Sequence, residues 1–134
     1  MTNELMNIND NASDFNIPNG HICTVDLNDA RGKMVVAKAL NAATSLSDHV
    51  GEVLKVVDIV TTPGVRSQSE TACTNTYLVL PDGSALFSQS DGVARSARIL
   101  VGLWGGDFGE GIDIVCKEVP LSGGRTLKTL DPVF

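Results

Sequence analysis

Six cations and two aromatics in this chain stand where an extended, negatively charged polymer could lie against them. Lys33, Lys38, Lys55, Arg66, Arg125 and Lys128 fall on segments patterned as strands or on the connection after the second of them. Tyr77 and Phe87 lie on either side of the turn residues Pro81-Asp82-Gly83. Cations along neighbouring strands can follow a phosphate backbone, and flat side chains can stack on any base, each stack contributing about 1–3 kcal/mol. This combination reads structure and charge, not base sequence.

Other chemistries find less support. Catalysis needs a nucleophile with its base, paired carboxylates or a set of metal ligands. His21 and His49 are isolated, and Ser45, Ser47, Asp48 and His49 crowd into one turn, where polar residues serve the turn itself. Gly109 and Gly111 in FGEGID do not sit between a strand and a helix, as a phosphate loop requires. Cys23, Cys73 and Cys116 are odd in number and dispersed, which points to free, buried thiols in a reducing compartment. The expectation is a protein without catalysis, metal or cofactor.

The net charge of −6 argues against general binding of polyanions. The distribution matters more. Six of the ten basic residues lie on the segments named above, whereas acidic residues gather in the leader (Glu4, Asp10, Asp14) and after the predicted helix (Asp107, Glu110, Asp113). No run approaches the ~18 apolar residues of a membrane helix, and the first residues lack the basic and apolar regions of a signal peptide, so a cytoplasmic protein is expected.

The elements that must position these residues are legible in part. Residues 1–19 are polar and without period, which suggests a flexible arm ahead of a single domain over 20–134. Ile22 to Leu27 alternates briefly. Gly32 to Ala43 mixes β-branched residues with alanines, so either a strand or a helix can be argued; the alternation of Lys33, Val35 and Ala37 against Met34, Val36 and Lys38 favours a long first strand. Gly51 to Thr62 is the clearest strand, ended by Pro63-Gly64.

Asn75 to Phe87 reads as a hairpin around Pro81-Asp82-Gly83. From Ser90 or Asp91 the period changes to about 3.6, with Val93, Ala97, Leu100, Val101 and Trp104 on one face and Gly105-Gly106 as the stop. Trp104 is therefore expected inside, and Arg95 and Arg98 outside. Ile112 to Val119 and Arg125 to Leu130 supply two closing strands.

Strands, an inserted helix and then two more strands is the element order of the OB-fold, a mainly β, five-stranded Greek-key barrel with one helix between strands 3 and 4. With Gly32-Lys33 opening the first strand, Asp82-Gly83-Ser84 at the hairpin and Phe87 just after it, residues 30–130 resemble the small single-stranded DNA-binding proteins of bacteriophages and mobile genetic elements. The resemblance implies cooperative, sequence-independent cover of single-stranded DNA during replication. It matches Phe87 to the family's aromatic after the turn and Lys33 to its first-strand lysine. Relatives carry a tyrosine near the end of the second strand, where this chain has Val60-Thr61-Thr62, so Tyr77 would have to supply that stack.

The partners so implied are single-stranded DNA, replication proteins and a second copy of the chain; RNA is a weaker candidate. The C-terminal Asp131-Pro132-Val133-Phe134 has the residue types of the tip with which bacterial single-stranded DNA-binding proteins recruit partners, though TLKTL before it is not acidic. A non-catalytic β-barrel for protein interaction or assembly is the alternative function.

Overall fold

A computed structural model describes residues 20–133; the expected arm over residues 1–19 and the last residue, Phe134, lie outside them. Among the described residues the fold is mainly β, with two sheets and two α-helices. In order the elements are α1 (Ala30–Ala42), β1 (Thr44–Ser45), β2 (Val53–Val56), β3 (Asp58–Val65), β4 (Ala72–Val79), β5 (Ala85–Ser88), α2 (Asp91–Trp104), β6 (Ile112–Pro120) and β7 (Thr126–Pro132).

The segment expected as the first strand is a helix. Four alanines, Met34, Lys38 and Leu40 favour helix strongly enough to outweigh the neighbouring Val35 and Val36. Asp29 starts it by accepting a hydrogen bond from the Arg31 N–H at 3.2 Å. Val36 and Ala39 are buried and Val35, Leu40 and Ala43 half-buried, which is one stripe at helical spacing. Gly32 is required at the start, because a Cβ there would collide with the Asp26 carbonyl. Lys33 and Lys38 consequently stand on an exposed helical surface and not on a strand.

The first sheet has the order β1-β5-β4-β3, with β1 parallel to β5 and the other pairs antiparallel. It is covered on both faces. Val60, Tyr77, Val79 and Ala85 pack under α1, whereas Ile59, Leu78 and Leu86 face the main core with α2. Both residue parities of the strands are thus apolar, which explains why Thr76 to Val79 is buried without interruption.

The second sheet is antiparallel, in the order β2-β6-β7. The strand expected over Gly51 to Thr62 divides between the two sheets. β2 pairs with β6 and β3 with β4, only Val57 separating the halves, and the Val57 N–H donates to the Val79 carbonyl at 2.8 Å. β3 also continues through Pro63-Gly64 to Val65; it borders no further strand there, so the missing proline N–H costs nothing. Ile22 to Leu27 contributes a single bridge, Cys23 to Val60.

The core between the sheets holds Leu54, Val56, Ile59, Leu78, Leu86, Ile114, Cys116 and Leu130, against which α2 lays Val93, Ala97 and Leu100. Helix α2 follows its expected bounds. Ser90 caps it through the Val93 N–H at 3.4 Å, and Gly105 at φ 67° ends it, with the Gly106 N–H returning to the Val101 carbonyl. Trp104 is not enclosed as expected: it is 39 % exposed, at the helix end, its ring 6.3 Å from that of the buried Phe108. Among the described residues no strand pair joins β5 to β7, so the sheets form no closed barrel. No helix among the described residues is long and apolar enough to cross a membrane.

Candidate functional site

The gap between β5 and β7 opens as a cleft of about 330 Å³. Its walls are Arg66 from the start of the β3–β4 connection, Lys128 from β7, Phe87 and Ser88 from β5, Gln89 and Ser90 leading into α2, and Ser45 with Ser47 after α1. Three of the eight expected DNA-binding residues meet here: Arg66, Phe87 and Lys128.

The cleft is held by a chain of polar contacts. Asn75 donates to the Thr62 hydroxyl at 3.3 Å and accepts from Gln89 Nε2 at 3.0 Å, which ties the end of β5 to the β3–β4 pair. Gln89 in turn offers its carbonyl to Arg66 Nη2 at 3.0 Å, and the same nitrogen donates to Asp91 Oδ1 at 3.1 Å. Gly64 leaves the room that Asn75 needs, since a Cβ there would strike its side chain. On the opposite wall Lys128 is 24 % exposed, 3.5 Å from its cross-strand neighbour Glu118. The serines are engaged locally: Ser45 and Ser47 hydroxyls lie 2.9 Å apart, and the Ser88 hydroxyl accepts from the Ser90 N–H.

The other expected residues lie elsewhere. Tyr77 is 8 % exposed, beneath α1, its ring 5.3 Å from that of Phe87. It is core, and no base can reach its face in this arrangement. Lys38 stands by the Asp82-Gly83 turn, at the other end of β5 from the cleft. Lys33 is exposed on α1. Lys55 sits on β2 directly across from Asp113 and pairs with it at 3.2 Å, so Asp113 is not part of a separate acidic cluster. Arg125 is exposed in the β6–β7 connection, just before β7 begins.

Sequence reasoning missed the serine wall and Gln89. Ser45 and Ser47 could be found only through β1, whose two residues pair with Leu86 and Phe87 and bring the post-helical turn to the cleft. Among the described residues no group of three or more His, Cys, Asp or Glu side chains could hold a metal ion. Arrangements of this kind, with two cations, one aromatic and many hydroxyl donors, suit an anionic ligand with a flat moiety. Comparison with known proteins adds no neighbour: no family model, curated protein or solved structure matches the chain significantly.

Proposed function

We propose that the protein binds single-stranded DNA without sequence preference and covers it during replication of a phage or mobile element in the cytoplasm, and that the strand engages the cleft between β5 and β7. The observation that carries this reading is the convergence of Arg66, Phe87 and Lys128, from three separate elements, on one open cleft. Cations flanking an aromatic are the minimum that backbone tracking with base stacking needs.

Strand connectivity supports the same reading. If the bent strand β2–β3 counts as one, the order is strand, strand, strand, helix, strand, strand, and the first strand pairs with both the second and the fourth. An OB barrel left open between its third and fifth strands has this connectivity, with α1 added over the outer face. Oligonucleotides on such barrels lie across strands two and three, between the first and last interstrand loops. Arg66 opens the first of these loops and Arg125 closes the last. With α1 occupying the sheet face, the strand would run along the rim from Arg66 past the cleft to Lys128.

Fluorescence anisotropy of labelled oligo-dT and of matching duplex, each at two salt concentrations, tests this. Preference for oligo-dT and loss of affinity with salt are expected. Arg66→Ala and Lys128→Ala should each lower the salt slope by about 1, as removal of one phosphate contact does, while Lys33→Ala and Lys38→Ala leave it unchanged. Absence of binding to either oligomer at low salt overturns the reading. The assembly-subunit alternative would then stand on the exposed Ile99, Leu103 and Trp104 of α2.

A further inference from the structure

Both cations of the cleft already have carboxylate partners. Arg66 is held by Asp91, and Lys128 by Glu118. An internal phosphodiester carries one negative charge, so replacing a resident carboxylate with it changes the local electrostatics little. A phosphate monoester carries about −1.5 to −2 at neutral pH and presents three acceptor oxygens. Such a group can outcompete a single carboxylate and engage two cations at once.

The geometry leaves donors for it. Arg66 makes both of its contacts through Nη2, so Nη1 and Nε are uncommitted among the described residues and can each donate a single hydrogen bond, whereas a bidentate grip would first have to release Nη2 from Asp91. The hydroxyls of Ser45, Ser47, Ser88 and Ser90 line the same cleft, as does half-buried Phe87. A volume of about 330 Å³ lies at the small end of ligand pockets. It has room for about one nucleotide, with the rest of a strand continuing along the rim.

We propose that the cleft is a phosphate-monoester subsite that takes the terminal phosphate of a DNA strand in preference to internal diesters; free phosphate meets the same chemistry. The identity of the strand rests on the proposed DNA binding, but the preference for a dianion does not.

Matched oligo-dT strands ending in a 5′-phosphate, a 3′-phosphate or hydroxyls, and inorganic phosphate alone, form the test with the full chain. One additional charge-assisted contact predicts about tenfold tighter binding of a phosphorylated end. Inorganic phosphate should compete with that end, and its addition should shift the NMR signals of Ser88 to Asp91. Asp91→Asn should raise the affinity of the hydroxyl-ended strand and shrink the ratio, and Arg66→Ala should abolish the ratio. Equal affinities for all three ends, with no phosphate competition, would overturn the subsite and leave DNA binding intact. Phosphate binding without any oligomer binding would support the subsite and remove the DNA reading. No binding of phosphate or oligomer overturns both.

Discussion

Gly92, in the first turn of α2, rests directly on the Lys128 carbonyl of β7. A Cβ at this position would collide with that oxygen and lie 2.8 Å from Leu127 Cδ1. Helix and strand therefore meet here at backbone distance, and the glycine sets how far β7 stands from the end of β5. Gly92→Ala must push α2 and β7 apart. The expected cost is about 1–3 kcal/mol, as for overpacked interiors, read as a lower midpoint in denaturant unfolding. An unchanged midpoint would mean that the two elements are looser than described.

Thr76 is fully buried, and among the described residues its hydroxyl has no hydrogen-bond partner. A buried polar group left unpaired costs about 1–3 kcal/mol. Thr76→Val keeps the shape and removes the hydroxyl, so the variant should be more stable than the parent. Calorimetry checks this, and a lower melting temperature would reveal a partner for that oxygen.

Asp82 accepts from the Ser84 hydroxyl at 2.6 Å and from the Ser84 N–H at 2.9 Å, and these bonds, the hydroxyl first, hold its carboxyl below the ordinary value of 3.8, with Lys38 adding a smaller pull. Because the folded value is depressed, whatever stability the group contributes is full above the ordinary value and lost as pH falls through the folded one. Ser84→Ala should raise the Asp82 titration midpoint, followed by carboxyl NMR, and any stability it removes should be lost at neutral pH and not at a pH below the folded value. A midpoint that stays put would exclude the hydroxyl as the cause.

Burial pushes the Cys116 thiol above its ordinary 9.0, the nearby Lys128 opposing the shift in part. Cys73 is only partly buried, and all three cysteines are free thiols. Only thiolates alkylate rapidly. In the native protein at pH 8, iodoacetamide should therefore modify Cys73 well before Cys116, whereas denaturant should expose all three. Mass spectrometry of the peptides distinguishes these patterns, and early modification of Cys116 would contradict the buried core around it.

Legibility in the sequence tracked how local the cause was. The hairpin and α2 depend on signals within a few residues, Asp82 with Ser84 and Ser90 with Gly105-Gly106, and both lie where those signals put them. Helix α1 was obscured because Val35-Val36 alternates plausibly as strand; Asp29 as a cap, with Gly32, Val36, Ala39 and Ala43 at helical spacing, was the signal that resolves it. That single misassignment moved Lys33 and Lys38 away from the expected surface, and it also hid the cover over Tyr77. Nothing local marks the division at Val57, which exists because two different sheets claim the two halves. Arg66, Phe87 and Lys128 were recognisable by type, but their meeting depends on the separation of β5 and β7, a property of topology alone.

The strand shared through Val57 has a mechanical consequence. Each sheet is anchored on the same stretch of backbone, so neither can fray completely without loosening the other's template. Amide exchange from β4 and from β6 should accordingly be governed by one common opening event, and a nick introduced between Val56 and Asp58 would uncouple the two sheets while leaving β2 on β6 and β3 on β4.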